Sequence, residues 1–154
     1  MRFIKKTMLF GLSAFLLLQL IRPQRNESTQ NFGNTQIQNV PNEVQSILKK
    51  ACYDCHSNNT DYPWYGSVQP VAFMLNRHVF GGKEQLNFDV FQTYSLKKQY
   101  NKIKSIGQQI KDETMPLESY RWIHTEARLT DKEKLLLVNW SDSTYNKLKA
   151  KSDN

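Results

Sequence analysis

The stretch Cys52–His56, which reads CYDCH, constrains this chain more than any other feature because it contains the only two cysteines. Two thiols separated by two residues and followed at once by a histidine are typical of a redox dithiol, half of a zinc site or a covalent anchor for haem. A dithiol site usually follows a strand, and a zinc site needs further ligands. The rest of the sequence has to distinguish among the three.

The surroundings of the motif favour the haem anchor. A helix is predicted over residues 42–51, so no strand precedes the cysteines. The chain has three histidines and no second closely spaced pair of ligands, which a zinc site would require. A disulfide between Cys52 and Cys55 would close a very small loop and constrain little. In a haem anchor the two thiols form thioether bonds with the vinyl groups, and His56 lies beneath the ring as an iron ligand.

The N-terminus has the charge order of an export signal. Basic residues within positions 2–6 precede an uncharged, mainly apolar run over residues 7–21, after which come Arg22 and Pro23. The run is short for a bilayer span, where about 17–25 residues are usual, yet no small-residue cleavage site follows it. We therefore expect residues 1–23 to be an uncleaved signal anchor, with a cleaved signal peptide as the alternative. The domain that follows would lie in the periplasm, either anchored to the inner membrane or secreted.

Most of the positive charge lies in front of the expected domain. Of the net charge of +7, five charges fall within residues 1–25, so the remainder is nearly balanced and no nucleic-acid partner is expected. Residues 24–40 are polar, with a single Phe and a single Ile, and predict a tether. The folded domain is expected to occupy residues 41–150.

The domain is predicted to be all-α, since little of its sequence alternates as strands do. The helices are expected over residues 42–51, 71–80, 96–111 and 130–149. Asn42 is expected to cap the first of them, and Thr130 with Glu133 forms a capping box for the last. Gly81 and Gly82 are expected to end the second. The residues predicted to face the core from the first and last helices are Val44, Ile47, Leu48, Ala51, Leu135, Leu136, Leu137 and Trp140.

Four separate segments resemble one known family. They are ACYDCHSNNTDYPWYGSVQP, HVFGGKEQLNFDVF, MPLESYRWIHTEARLT and EKLLLVNW, and they follow a single N-terminal hydrophobic segment. Over roughly residues 40–145 the chain resembles the bacterial haem-binding domain family of small c-type cytochrome-like proteins. The resemblance implies a compact, cytochrome c-like helical domain around one covalent haem c. Cys52 and Cys55 would hold the haem, and His56 would be the proximal ligand of its iron.

The other side of the iron is expected to bind Met115. The segment ETMPL resembles the Met-Pro loop of class I cytochromes c, and a thioether ligand raises the reduction potential relative to two histidines. His78 is the alternative distal ligand, whereas His124 is expected to form a hydrogen bond within its loop. A carbonyl in the loop after the motif is expected to orient His56. Three side chains are candidates to reach a haem propionate: Trp64, Tyr65 and Arg77.

The sequence contains no GxSxG, HExxH or phosphate-binding glycine motif. We therefore expect an electron carrier with redox protein partners rather than an enzyme. Two alternatives stay open. One is a haem-based sensor of small ligands with an open or labile distal site, and the other is a peroxidase-like accessory.

Overall fold

The computed structural model describes residues 2–153, and all regular structure in that range is helical. The α-helices are α1 (Arg2–Leu18), α2 (Asn42–Ala51), α3 (Tyr53–His56), α4 (Val71–Gln85), α5 (Leu96–Lys111), α6 (Glu118–Ile123) and α7 (Asp131–Ser152). Short 3-10 helices span Gly33–Thr35, Trp64–Ser67, Phe88–Thr93 and Thr125–Ala127. The predicted all-α class is confirmed.

One apolar core joins α2, α5, α7 and the 3-10 helix Phe88–Thr93. Its most deeply buried side chains are Leu48, Phe88, Phe91, Ile103 and Leu137. Helices α5 and α7 form the most extensive pair. Where they cross, a Cβ on Gly107 would lie 2.7 Å from Ser141 Oγ, so the glycine permits their close approach. The Ser141 hydroxyl donates to the Ile103 carbonyl at 2.6 Å and thereby fixes the two helices against each other.

The helix ends follow the sequence in part. Helix α5 has its predicted bounds, and α7 begins with the predicted capping box between Thr130 and Glu133. The predicted cap at Asn42 was wrong, because Asn42 is the first helical residue and Pro41 takes the cap position without a side-chain hydrogen bond. The predicted apolar face of α2 is confirmed, since its four members are all buried: Val44, Ile47, Leu48 and Ala51.

The prediction that two glycines end α4 was wrong. The helix continues through Gly81 and Gly82 to Gln85. A Cβ on Gly82 would lie 2.7 Å from the carbonyl oxygen of Cys55, which belongs to α3. Gly82 therefore serves the close packing of α4 on α3 rather than the termination of a helix.

The predicted inward face of α7 was correct only in part. Leu137 and Trp140 are buried, and Leu136 is partly buried against the core. Leu135, however, is 60% exposed. In an α-helix each residue turns about 100° from the one before it, so three consecutive leucines cannot all face one core.

Residues 19–40, which we call the strap, lie along the domain, in contrast to the free tether expected for residues 24–40. Asn26 is buried, and its side-chain amide donates to the Ser57 carbonyl and to the Thr60 hydroxyl, both at 2.9 Å. Further along, the backbone N–H of Ile37 donates to the Phe88 carbonyl at 2.9 Å. Hydrogen bonds hold the strap in place. The tether prediction was based on the low apolar content of this segment, which gives no information about hydrogen bonds.

The predicted signal anchor falls on α1 and the residues just after it. The side chains of α1 are not buried against the domain. Among residues 2–153, no helix combines the length and the apolar character needed to cross a membrane.

Candidate functional site

Two adjoining cavities lie beside the CYDCH motif. The first, about 280 Å³, is lined by α3, α4 and the segment 115–120, and the second, about 190 Å³, by α5 and the residues that follow α4. Six residues line both cavities: Ala51, Cys52, His56, Gln85, Met115 and Pro116. The walls are mostly apolar, and the combined size lies within the range of about 300–1,000 Å³ that is usual for cofactor sites.

The five residues predicted for the haem site all line the first cavity. Cys52, Cys55 and His56 approach it from the junction of α2 and α3, His78 from α4, and Met115 from the connection between α5 and α6. His56 and Met115 also line the second cavity. Ligation stays a prediction, but these residues, distant in sequence, share one cavity as ligation requires.

The motif itself forms a tight turn between two helices. Cys52 caps α2, and its backbone N–H donates to the Leu48 carbonyl at 2.8 Å. The next turn, α3, closes when the His56 N–H donates to the Cys52 carbonyl at 3.0 Å. This turn holds both cysteines and the histidine at the same cavity.

The chemistry of the site disfavours the two alternatives to a haem anchor. The pKa of Cys52 is raised to about 12, mainly by burial and to a lesser extent by the neighbouring Cys55. The pKa of Cys55 is raised to about 11, mainly by burial and to a lesser extent by the charge of Asp54. Redox CxxC sites instead lower the pKa of their attacking thiol. For zinc, no three His, Cys, Asp or Glu side chains in the described range come together as a site would require.

His56 is held in an orientation that suits a metal ligand. Its Nδ1 donates to the Leu86 carbonyl at 3.0 Å, and because a carbonyl only accepts, the proton is on Nδ1 and the lone pair on Nε2. Burial lowers the pKa of His56 and favours the neutral ring, although the hydrogen bond to Leu86 opposes the shift. The acceptor was expected in the loop after the motif and lies instead at the end of α4. A backbone carbonyl leaves no mark in the sequence.

Of the three side chains predicted near a haem propionate, only Arg77 lines a cavity. Trp64 is 81% exposed, Tyr65 is hydrogen-bonded to His124, and neither lines the two cavities, so for both residues a contact with a propionate stays a prediction. Lys102 on α5, which no sequence pattern indicated, lines the second cavity and supplies another cation.

A hydrogen-bonded aromatic cluster adjoins the first cavity on the side of α6. The Tyr120 hydroxyl donates to Asp54 Oδ2 at 2.6 Å, and the Tyr120 ring stacks on His124 with centroids 4.2 Å apart. His124 accepts at Nε2 from the Tyr65 hydroxyl at 2.6 Å and donates from Nδ1 to Glu126 at 3.1 Å. His124 therefore fixes its loop, as expected. Tyr120 and Asp54 line the cavity without having been indicated by any spacing in the sequence.

The residues present fit a covalently bound haem. Two thiols at CxxC spacing, an oriented neutral imidazole and a thioether lie on one apolar cavity, with cations at its margins. A family model described as a haem-binding domain matches residues 13–143, which include all the residues that line these cavities. No curated relative and no solved structure matches the chain.

Proposed function

This chain belongs to the haem-binding domain family, and we propose that it carries one covalent haem c and transfers single electrons. The observation that carries the proposal is the shared cavity of Cys52, Cys55, His56 and Met115. Haem bound there would supply reversible one-electron chemistry at its iron. Since an electron carrier needs a donor and an acceptor, we propose redox proteins as partners.

The residues of the site have separate roles in this proposal. Cys52 and Cys55 would hold the haem through thioether bonds, which would keep the cofactor in place in both oxidation states. His56 would bind the iron through Nε2, since the Leu86 carbonyl holds its ring and strengthens it as a donor. Met115 would supply the second protein ligand, whose soft sulfur favours reduced iron. The apolar walls of the cavity would limit the access of water to the bound group.

We propose that residues 1–23 direct the export of the domain and either stay as an inner-membrane anchor or are removed. The charge order of these residues supports export. The domain would then function in the periplasm. The mass of the mature N-terminus separates the anchored form from the cleaved form.

Covalent attachment is tested by haem staining after denaturing electrophoresis of protein matured with a cytochrome c assembly system. The wild-type band should stain, while Cys52→Ser and Cys55→Ser should each lose most of the stain because each thioether anchors one vinyl group. Met115→Ala is the control and should stain like the wild type. An unstained wild-type band would contradict covalent attachment.

The distal ligand is tested by visible spectroscopy of the ferric protein. Methionine ligation predicts low-spin iron and a weak sulfur-to-iron charge-transfer band at long wavelength, which Met115→Ala should abolish. Met74→Ala is the matched control, because Met74 on α4 is 59% exposed and lines neither cavity. A spectrum that changes in His78→Ala and not in Met115→Ala would assign the site to His78 instead.

One observation favours a second candidate, a sensor of small ligands. Met115 is 37% exposed and lies in a short connection rather than in a helix, so an incoming ligand has access to it. A sensor predicts that carbon monoxide displaces Met115 from ferrous iron at micromolar concentrations. An electron carrier predicts that the wild type resists displacement while Met115→Ala binds carbon monoxide readily.

A further inference from the structure

The segment that carries Met115 is fastened to the rest of the fold on both sides. Upstream, the Lys134 ammonium of α7 donates to Glu113 at 2.5 Å, and the Glu113 side chain is 65% exposed while that of Lys134 is 31% exposed. Downstream, Tyr120 of α6 donates to Asp54, which lies between the two cysteines of the motif. Only the second attachment joins the Met115 segment to the motif itself.

The Tyr120 attachment has the properties of a strong and preorganised hydrogen bond. It is short, at 2.6 Å, partly buried, and its acceptor is a carboxylate. Asp54 is held by Asp61, whose N–H donates to Asp54 Oδ1 at 3.2 Å, and by the Thr60 hydroxyl, which donates to the Asp54 carbonyl at 2.6 Å. The stacking of His124 fixes the Tyr120 ring. The orientations of the Asp54 carboxylate and the Tyr120 ring are therefore fixed by contacts other than the hydrogen bond between them.

We propose that Tyr120 is a positioning residue whose hydrogen bond to Asp54 latches the segment 113–123 closed and so holds Met115 over the iron. This inference rests on the proposed function, because it concerns the distal ligand of that same site. Tyr120 is not itself an iron ligand. It acts through Met115, by lowering the free energy of the closed segment relative to the open one.

The latch can be measured through a competing ligand. Imidazole binds ferric iron only where Met115 has left it, so its apparent affinity reports the equilibrium between the closed and open segment. A hydrogen bond to a charged acceptor stabilises by enough to change such an equilibrium by about tenfold or more. The ion pair of Glu113 and Lys134 should contribute much less, because the Glu113 carboxylate is largely exposed to solvent.

The test is an imidazole titration of the haem-loaded ferric protein, with Tyr145→Phe as the matched control. Tyr145 packs on Tyr100 between α5 and α7 and lines neither cavity. Tyr120→Phe should raise the apparent imidazole affinity by about tenfold and weaken the methionine charge-transfer band. It should also speed amide hydrogen exchange of residues 113–123, whereas Tyr145→Phe should change none of these quantities.

A second variant guards against failure of Tyr120→Phe to mature. Asp54→Ala removes the acceptor of the same bond and should give a similar rise in imidazole affinity, and the double variant should exceed neither single variant by much, because only one bond is lost. Unchanged affinity in Tyr120→Phe and Asp54→Ala, with a methionine band in the wild type, would overturn the latch and leave the proposed function intact. A wild type without that band would overturn both.

Discussion

The contact between Gly82 and the haem motif makes a sharp prediction about stability. A Cβ at residue 82 would lie 2.7 Å from the carbonyl oxygen of Cys55, 3.1 Å from its Cβ and 3.3 Å from its carbonyl carbon. These neighbours are largely backbone, which cannot rotate aside as a flexible side chain would. In Gly82→Ala, α4 must therefore move away from α3.

The magnitude follows from two opposing terms. Overpacking of this kind costs typically about 1–3 kcal/mol, and backbone contacts this close place the cost in the upper half of that range. Replacing a helical glycine by alanine gains about 1 kcal/mol in helix propensity. Gly82→Ala should therefore destabilise the fold by about 1–2 kcal/mol.

The neighbouring Gly81 provides the control. It lies in the same helix, and an added Cβ there would meet nothing within 4 Å. Gly81→Ala should therefore gain the propensity term alone, so the two variants should differ by about 2–3 kcal/mol in the free energy of unfolding. The assay is urea unfolding of the haem-free chains, followed by far-ultraviolet circular dichroism.

The same displacement should reach the haem site. Because the Leu86 carbonyl at the end of α4 holds His56, moving α4 lengthens that hydrogen bond and loosens the ring. We expect Gly82→Ala to mature with less bound haem than the wild type. Equal stability of Gly82→Ala and Gly81→Ala, together with equal haem content in Gly82→Ala and the wild type, would refute the reasoning.

Two other variants test electrostatics and the strap. Lys50, at 2.6 Å from Glu133, holds the pKa of Glu133 below its usual range, so the pair stabilises the fold at neutral pH and the contribution disappears as the pH falls through the lowered pKa. Glu133→Gln should cost about 1 kcal/mol in urea unfolding at pH 7 and progressively less as the pH is lowered through the pKa of Glu133, and a cost that does not change with pH would contradict the assignment. Asn26→Ala leaves the Ser57 carbonyl and the Thr60 hydroxyl without their donor and should cost about 1–3 kcal/mol, whereas a loss under 0.5 kcal/mol would show that the strap is not held there.

The sequence predicts the elements whose apolar residues recur with the helical period. Helix α5 has the bounds that its pattern indicates, and the predicted face of α2 is buried in full. The capping box at Thr130 is a local interaction between residues three apart, and it too was predictable. Features that depend only on residues a few positions apart could therefore be predicted from the sequence.

The features that the sequence does not predict depend on distant backbone or on hydrogen bonding. The His56 acceptor is the Leu86 carbonyl, and any residue type supplies a carbonyl. From its local sequence Gly82 was predicted to end a helix. The residue is needed instead for the close contact with the Cys55 carbonyl, and Cys55 is 27 residues away in the chain. The packing of the strap could not be predicted from its apolar content, because the buried Asn26 is held by the hydrogen bonds of its side-chain amide and not by apolar contacts. Tertiary contacts, which spacing cannot encode, settle each of these.

The strap also fixes the orientation of α1 relative to the cavity beside the CYDCH motif. Just after α1, the Gln19 side chain accepts from the Gln69 N–H at 2.9 Å, and the Gln69 amide donates to the Ile21 carbonyl at 2.7 Å. A flexible linker at this position would let the domain reorient freely relative to α1. Because the strap is hydrogen-bonded to the domain instead of being free, the position of α1 relative to the cavity is fixed, and the orientation of α1 also defines the direction in which the cavity opens.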